Sequence, residues 1–335
     1  MRIGLPRALL FHYYRPFWQE LFIALGHQVV ISPPTNQQII NAGVRVSVPE
    51  ICVPIKIMNG HLQQLLSSDV DYVFLPRMVS IQPGQFFCPK FMGLPEIARF
   101  SIPGATDKLL TCDISAPDED IARPELYYPV GQQLGQSESE VRRAVRKAGE
   151  TWRRFRAHCL AGLDAATAAE AALSGTVPSP HADGKTDIHL GLIGYVYNLY
   201  DDWLSMELVS KLRALGVRVS TFEMLTDETI KRHLRHLDKS MFWTFSDKLL
   251  GAGYAFYHDR SVDGLIHLTA FGCGPDSMLG KVLELESESF SKPFMTLRID
   301  EHTGESHLLT RLEAFVDMLR MKKRRTSPEH ATSQD

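Results

Sequence analysis

The sequence predicts an α/β fold in two domains, each built on a doubly wound, mostly parallel sheet. In the first part of the chain, short apolar strands alternate with amphipathic helices, a pattern typical of a parallel sheet covered by helices. The same alternation begins again near residue 188, after a segment rich in glycine, proline and serine at 174–185. We therefore expect two Rossmann-like domains with an inter-domain cleft, joined by a helical connection.

The N-terminal domain is predicted to begin with a strand, a helix and a second strand. In the first helix, Phe17, Leu21 and Leu25 recur on one face, and Gly26 suits the position after a helix end. The loop that ends at Asn36 can cap the next helix. The predicted elements are strands at 2–5, 29–32 and 71–76, and helices at 14–25, from about 37, and at 56–67.

A long helix is predicted to connect the two domains. Ser137 and Glu140 have the spacing of a capping box, and apolar residues continue at helical intervals to about residue 172. The segment 174–185 follows as the linker, and residues 94–116 give only a weak indication of structure. The long helix and its linker therefore separate two units of similar pattern.

The C-terminal domain repeats the alternation, and a polar tail follows it. Predicted strands lie at 188–193, 217–220, 264–270 and 294–297, and predicted helices at 203–215, 226–236, 239–258, 278–287 and 308–321. The expected organisation is an N-terminal domain (1–136), a long helix with linker (137–186), a C-terminal domain (187–321) and a disordered tail (322–335).

Composition and charge narrow the class of protein. The chain has 335 residues, of which 44% are hydrophobic and 22% charged, as in an ordinary soluble globular protein. A net charge of −3 argues against nucleic-acid binding, and the sequence contains no apolar run long enough for a membrane span. The N-terminus shows no secretory signal pattern, so we expect a cytoplasmic protein. Five cysteines at wide spacing favour metal or redox use over a disulfide framework.

Three of the five cysteines share a local context. Cys52, Cys88 and Cys273 are each followed within two residues by proline, which keeps the backbone out of regular structure and the sulfur on a turn. Cys112 and Cys159 lack this context. The pattern indicates a common role for the first three.

The surroundings of these cysteines favour the thiolate form. Lys56 and Lys90 follow Cys52 and Cys88 closely, and a nearby cation lowers a thiol pKa. Cys273 ends a turn after a buried strand, and Pro275 suits the first position of the next helix, whose free N–H groups can face an anion.

Three thiolates from two domains could converge in the inter-domain cleft. An iron–sulfur cluster is one ligand for such a set; it would leave one iron to water, substrate, Cys112 or a non-cysteine ligand. Buried, inert cysteines, a zinc site and a nucleophilic cysteine are the other interpretations of the same pattern. Spacing alone does not decide among them.

Other motifs give weaker signals. His61 could be a ligand or a proton donor. Alternatively, it could cap a helix or contact the residues that bind the ligand without touching the ligand itself. The acidic loop at 300–305 reads as a solvated turn or as an acid/base loop that faces a substrate or partner. The segment 195–200 reads as a packed corner between a strand and a helix. The glycines at 191 and 194 lack the third glycine of a dinucleotide turn, and the chain has no P-loop sequence.

Taken together, these motifs resemble the acyl-CoA dehydratase activase-related proteins that contain the DUF2229 domain. That family is related to 2-hydroxyacyl-CoA dehydratase and benzoyl-CoA reductase subunits and to double-cubane cluster proteins. The resemblance covers about residues 2–320. Its motifs here are Gly4-Leu5-Pro6-Arg7-Ala8-Leu9, Ser32-Pro33-Pro34-Thr35-Asn36, Glu50-x-Cys52-x-Pro54-x-Lys56, Gly60-His61, Phe74-Leu75-Pro76-Arg77, Cys88-Pro89-Lys90, Phe271-Gly272-Cys273-Gly274-Pro275-Asp276-Ser277 and Asp300-Glu301-His302-Thr303-Gly304.

The resemblance implies an iron–sulfur cluster, either [4Fe-4S] or a linked double-cubane form, held by Cys52, Cys88 and Cys273. It implies low-potential electrons from a separate ATP-hydrolysing activator with an actin-like fold, and their use on an acyl-CoA or other small substrate. A related dehydratase-like subunit or a second copy of the chain is a further expected partner. A non-catalytic carrier or scaffold subunit and a zinc-binding structural protein are the alternatives. Residues expected around the cluster are Glu50, Lys56, His61, Arg77, Lys90, Asp276, Ser277, Glu301 and His302.

Overall fold

The computed structural model describes residues 1–176 and 186–326. Within these ranges the strands are β1 Arg2–Leu5, β2 Gln28–Ile31, β3 Tyr72–Phe74, β4 Arg77–Ser80, β5 Leu109–Leu110, β6 Asp113–Ser115, β7 Ile188–Ile193, β8 Val217–Ser220, β9 Gly264–Ala270 and β10 Phe294–Ile299.

The helices fill most of the intervals between these strands. They are α1 Phe11–Ala24, α2 Gln37–Val46, α3 Val53–Leu66, α4 Pro89–Met92, α5 Leu94–Ser101, α6 Ala105–Lys108, α7 Tyr128–Gln133, α8 Glu138–Leu160, α9 Ala165–Ser174, α10 Val196–Tyr200, α11 Asp202–Ser205, α12 Leu208–Ala214, α13 Asp227–Leu234, α14 Thr244–His258, α15 Gly274–Glu286 and α16 Glu305–Thr326. Short 3-10 helices lie at Pro124–Leu126 and Phe222–Met224. None of the helices in the described ranges is both long and apolar enough to span a bilayer.

Two parallel sheets of four strands form the framework, which confirms the predicted α/β class. The N-terminal sheet has the order β2-β1-β3-β5, and the C-terminal sheet has the corresponding order β8-β7-β9-β10. A short parallel pair, β4 and β6, extends the N-terminal half. In each sheet the second strand along the chain lies on one side of the first strand, and the third strand lies on the other side. Open α/β sheets bind ligands at this switch point, between the first and third strands.

The burial of the strands explains their places in the sheets. Every residue of β7 and β9 is buried, as expected for central parallel strands covered on both faces by helices. The outer strands β2 and β8 are only partly buried. The most apolar runs of the C-terminal half therefore occupy the middle of its sheet.

Two helices that the sequence predicts as continuous are broken. The long connecting helix ends at Leu160, because Gly162 adopts φ +96° and Asp164 caps a separate helix, α9. The helix predicted at 203–215 is split into α11 and α12, since Met206 and Glu207 both adopt left-handed backbone angles. Side-chain periodicity did not reveal either break.

Four helices begin three or four residues earlier than predicted. Helix α1 starts at Phe11, α3 at Val53, α15 at Gly274 and α16 at Glu305. In α3 and α15 a proline occupies the first turn, where its missing N–H leaves no helical bond unmade. The cysteines at 52 and 273 are consequently the residues directly before a helix.

The last helix is longer than predicted. Helix α16 continues to Thr326, so residues 322–326 belong to a helix and not to a disordered tail. The predicted linker beyond residue 176 and the remainder of the predicted tail lie outside the described residues. The capping predictions for Ser137 and Asn36 are confirmed, because each side chain accepts hydrogen bonds from first-turn N–H groups.

Aromatic side chains join the two domains. The ring of Tyr13 on α1 lies 5.6 Å from Phe155 on α8, 6.1 Å from Phe222 and 5.9 Å from Phe245 on α14. All four side chains are buried. The N-terminal domain, the connecting helix and the C-terminal domain therefore share one hydrophobic core.

A buried ionic cluster lies beside this aromatic core. The Glu119 carboxylate accepts hydrogen bonds from Arg156 Nε at 2.9 Å, Lys248 Nζ at 3.0 Å and the Tyr13 hydroxyl at 2.8 Å. Burial acts to raise the pKa of Glu119, but the charges of Lys248 and Arg156 outweigh it and hold the pKa at about 2. Cations from the connecting helix and from α14 thus meet on one carboxylate.

Candidate functional site

The three cysteines that share a sequence context line one cavity between the domains. Cys52 and Cys88 come from the N-terminal domain and Cys273 from the C-terminal domain, and the cavity has a volume of about 190 Å³. Lys90 is the only charged residue in its lining, as far as the described residues show. The other lining residues are mostly apolar: Leu9, Pro54, Ile55, Pro89, Phe91, Tyr197, Gly274 and Pro275.

Each of the three cysteines is the residue directly before a helix. Cys52 precedes α3, Cys88 precedes α4 and Cys273 precedes α15, and all three have extended backbone angles. None of the sulfurs makes a capping hydrogen bond, but N–H groups of the first helical turn lie close enough to oppose part of the increase that burial causes in each thiol pKa. Three helix N-termini, with their positive ends, therefore face the same small space.

Burial dominates the titration of these thiols. It raises the pKa of Cys52 and of Cys88, and it raises the pKa of Cys273 further, because Asp276 and the other two sulfurs add negative charge nearby. Lys90 partly offsets the effect at Cys52. A raised thiol pKa disfavours the interpretation of a nucleophilic cysteine.

The spacing of the side chains bears on the kind of metal that could bind. In the part of the chain that the structure describes, no group of three or more His, Cys, Asp or Glu side chains could hold a single metal ion. A structural zinc ion needs its sulfurs at about 2.3 Å from one point. The arrangement therefore does not support a mononuclear zinc site.

Lys56 and Glu301 form an ion pair across the domain boundary. Lys56 Nζ lies 2.5 Å from Glu301 Oε1, and the side chains are only 7% and 16% exposed. Burial acts to raise the pKa of Glu301, but the hydrogen bond and charge of Lys56 prevail and lower it. Lys56 lies one turn after Cys52, yet its charge is neutralised by Glu301, so Lys90 is the cation that faces the thiols.

Asp276 and Ser277 shape the turn that presents Cys273. Asp276 is fully buried and accepts a hydrogen bond from Nε2 of His267 at 2.9 Å. The Ser277 hydroxyl donates to the backbone carbonyl of Cys273 at 2.7 Å. Gly280 allows α15 to lie against His267, since a Cβ there would come within 2.4 Å of the imidazole ring. These contacts fix the start of α15 against β9.

Of the nine residues expected around the cluster, only Lys90 is in the described lining of the cavity. Arg77 pairs with Glu96 at 2.6 Å and donates to the carbonyl of Met92 at 2.7 Å, so it holds the end of the helix that Cys88 begins. Glu50 is exposed, and only its backbone oxygen approaches the turn at Gly272. His302 is exposed in the loop after β10.

His61 lies in a buried hydrogen-bond chain away from the cysteines. Its Nδ1 is 2.8 Å from Ser32 Oγ, and its Nε2 is 2.9 Å from Thr35 Oγ1. Thr35 donates to Asp201 of the other domain at 2.5 Å, so His61 Nε2–H is the donor to Thr35 and Nδ1 accepts from Ser32. Burial lowers the pKa of His61 to about 3 and raises that of Asp201 to about 6. Neutral His61 thus helps connect the two domains.

Sequence patterns indicate no role for Leu9 or Phe91 at the site and predict a packing role for Tyr197. All three line the cysteine cavity, and the Tyr197 ring stacks on Tyr195 with centroids 5.1 Å apart. Leu9 adopts a left-handed backbone angle, φ 52°, which is costly for a residue with a branched side chain. Leu9 and Tyr197 lie in the segments that follow β1 and β7, at the ligand-binding end of the sheets, and this position was the available signal for these two residues.

The fold and the site define a class: a two-domain α/β protein with a thiol-lined cavity at the carboxyl ends of its central strands. The sequence model of the CoA enzyme activase uncharacterised domain (DUF2229) matches residues 2–225. The chain belongs to this family, as the sequence resemblance indicated. A search of curated proteins found no relative that matches the chain.

Proposed function

We propose that this protein binds a [4Fe-4S]-type cluster through Cys52, Cys88 and Cys273 and takes part in low-potential electron transfer. One observation supports the proposal above all others. Three cysteines from separate segments and from both domains line one small cavity, each at the start of a helix. Buried, unrelated cysteines have no reason to share this geometry.

The chemistry of the cavity fits an anionic group bound by thiolates. Apolar walls, including Ile55 and Phe91, exclude water, and three helix N-termini supply positive potential. Lys90 adds one cation close to Cys52, which favours the thiolate form that binds iron. When bound, such a cluster supplies one-electron transfer at a low reduction potential.

The donor set leaves one coordination position without a cysteine. Cys112 is buried elsewhere and does not line the cavity, and neither does Cys159. Lys90 and Tyr197 are the remaining side chains in the described lining that have a polar atom. The fourth iron would therefore be left to a small substrate or another non-cysteine ligand, which Lys90 and Tyr197 would orient through their amine and hydroxyl groups.

The family description supports a link to CoA-dependent chemistry. We propose that electrons come from a separate ATP-hydrolysing activator, and that an acyl-CoA or another small molecule is the final acceptor. A related dehydratase-like subunit or a second copy of this chain is the second proposed partner. The residues of this chain would hold the cluster, keep water away from it and place Lys90 beside it.

The size of the cavity favours a second candidate function, a non-catalytic cluster-carrying subunit. A volume of about 190 Å³ is small for a CoA thioester. In that case the chain would relay electrons to a partner that contains the substrate site. Incubation of the reduced protein with acyl-CoA thioesters separates the two: turnover indicates a catalytic component, and a reducible but inert protein indicates a carrier.

The test of cluster binding is chemical analysis of protein expressed and purified without oxygen. Iron, acid-labile sulfide and the EPR signal after reduction are measured for the natural chain and for Cys52→Ala, Cys88→Ala and Cys273→Ala. We expect iron and sulfide in the natural chain and strong loss of both in each variant. Cys112→Ala and Cys159→Ala are the matched controls and should keep them. Full iron content in all three cavity variants, or zinc without sulfide, overturns the proposal.

A further inference from the structure

A second and larger cavity lies between the domains, next to the cysteine cavity. It has a volume of about 680 Å³, within the usual range for a small-molecule site. The loop after β1 borders both spaces, because Arg7 lines the large cavity and Leu9 lines the cysteine cavity. We call the large cavity the arginine cleft, after its lining residues Arg7, Arg15 and Arg213.

Two of the three arginines in the cleft are already neutralised. Arg15 pairs with Glu170 at 2.5 Å, and Arg213 pairs with Asp164 at 2.8 Å. Arg7 differs from both, since its side chain makes no hydrogen bond or ion pair with any described residue. Its Nε is buried without a partner. The residue as a whole is partly exposed, and a guanidinium with a buried N–H that lacks an acceptor is suited to bind an anion.

The cleft also contains carboxylates that lack a cation. Asp202 and Glu207 line it and form no ion pair within the described part of the chain, and Asp201 accepts only from Thr35 and from a backbone N–H. Arg7 is close enough to Asp201 and Asp202 for their charges to act on its pKa, yet it contacts neither. A gap therefore separates an unpaired cation from unpaired anions.

The balance of charge limits the class of ligand. Five carboxyl side chains and three arginines line the cleft, an excess of two acidic groups. A polyanion such as a nucleotide would be repelled by this excess. A ligand that has one carboxylate and one protonated amine would satisfy Arg7 and the free acids together. Phe11, Leu199 and Trp203 supply apolar surface for the rest of such a molecule.

We propose that the arginine cleft binds a small zwitterion of the α-amino acid class. The ligand carboxylate would take two parallel hydrogen bonds from the Arg7 guanidinium, and the ammonium group would lie against Asp202 and Glu207. The buried hydroxyl of Ser205 also lines the cleft without a hydrogen-bond partner and is a further polar contact for the ligand. The site uses none of the three cavity cysteines, so it does not depend on the proposed cluster.

The first experiment measures binding to the purified full-length chain. Each standard L-amino acid at millimolar concentration is tested by thermal unfolding, and those that raise Tm are measured by calorimetry. For each binder, the amine without the carboxylate and the 2-oxo acid without the amine are compared, with ATP as a polyanion. We expect at least one amino acid to bind, and each truncated analogue to bind at least about tenfold more weakly.

Variants then test the assignment to Arg7. Arg7→Gln should weaken binding about tenfold to a hundredfold, because a charge-assisted bidentate contact is lost. Arg45→Gln, at an exposed position outside the cleft, should leave binding unchanged. Asp202→Asn should weaken binding severalfold, and Cys273→Ala should have no effect. Because Arg7 has no side-chain partner, Arg7→Gln is expected to fold normally, which the Tm without ligand checks.

Three results overturn the proposal. The first is that no amino acid raises Tm or gives a binding isotherm. The second is that ATP or a 2-oxo acid binds more tightly than the amino acid, which would show an anion site. The third is equal affinity in the natural chain and in Arg7→Gln. None of these results affects the iron analysis, so a failure here is distinguishable from a failure of the cluster proposal.

Discussion

The cysteine cavity and the arginine cleft lie side by side between the domains but differ in almost every chemical respect. The first is small and apolar, with one charged lining residue, whereas eight charged residues line the second. Both use the loop after β1 and the segment after β7, which are equivalent positions in the two sheets. The comparison shows that topology places both cavities at the same end of the sheets, while two residues of one loop, Arg7 and Leu9, contribute to the different chemistry of each cavity.

The two regions also differ in how they join the domains. Beside the cysteines, Lys56 and Glu301 make a nearly buried ion pair. Beside the cleft, the chain from Ser32 through His61 and Thr35 to Asp201 makes neutral and charged hydrogen bonds. A single substitution can break each of these connections.

The largest effect is expected where the buried ion pair is broken. Glu301→Gln leaves the Lys56 ammonium in a buried place without its counter-charge, and we expect a loss of about 3–5 kcal/mol in the free energy of unfolding. Urea unfolding followed by circular dichroism measures it. Glu305→Gln is the control, since it removes an exposed pair with Lys211 and should cost less than about 1 kcal/mol. Equal losses in the two variants would contradict the assignment.

A smaller loss is expected in the hydrogen-bond chain. Thr35→Val keeps the shape of the side chain but leaves the His61 Nε2–H and Asp201 Oδ2 without a partner, while Asp201 Oδ1 still accepts from the Leu204 N–H. We expect a loss of about 1–3 kcal/mol in the free energy of unfolding. Thr310→Val, on the exposed side of α16, is the control and should change stability by less than about 0.5 kcal/mol. If Thr35→Val leaves the free energy of unfolding unchanged, the hydrogen-bond chain does not stabilise the fold.

The hydrogen-bond chain through His61 and Asp201 predicts two opposing effects of pH on the stability of the fold. The pKa of His61 falls from 6.5 to about 3 on folding, so its stabilising contribution is lost as pH falls below about 6.5. The pKa of Asp201 rises from 3.8 to about 6, so the folded state binds the extra proton and gains stability as pH falls through that interval. In the natural chain the two effects partly cancel between about pH 4 and pH 6.

Asp201→Asn separates these two effects. It removes the compensating carboxyl, so the loss of stability on acidification from about pH 6 to pH 4 should be steeper than in the natural chain. Unfolding in urea at a series of pH values measures the slope of stability against pH. An equal or shallower slope in the variant would show that Asp201 does not take up a proton in this range.

The smallest effect is expected at Lys90, on the cysteine side. Burial raises the pKa of the Cys52 thiol and Lys90 lowers it, so Lys90→Met should raise that pKa further. Alkylation of Cys52 in metal-free protein at fixed pH should then become severalfold slower. Lys281→Met, on the exposed face of α15, should leave the rate unchanged. Identical rates in the Lys90 variant and the natural protein would show that Lys90 does not act on the Cys52 thiol.

Much of the fold could be predicted from local patterns. The strands around Ile188 and Gly264, the capping roles of Asn36 and Ser137, and the parallel class of the sheets are all present in the structure. The breaks at Gly162 and at Met206 were not predicted. Neither position interrupts the spacing of apolar residues, which was the signal used for the helices.

The candidate site was predictable only in part. The shared proline context singled out the three cysteines that meet in one cavity. The sequence analysis treated Lys56 and Lys90 alike, yet the structure neutralises Lys56 with Glu301 and leaves Lys90 facing the sulfurs. The arginine cleft was missed altogether, because its lining residues lie in segments with no common motif.

The sequence by itself placed a proline in the first turn of each helix that follows one of the three cysteines, and such a proline acts only on its immediate neighbours. Only the tertiary structure decided which of these helix starts face one another and which lysine lies beside the sulfurs. Lys56 and Glu301 are 245 residues apart, and Thr35 and Asp201 are 166 apart. Such pairs depend on how two domain surfaces pack, and that packing is a property of many residues at once.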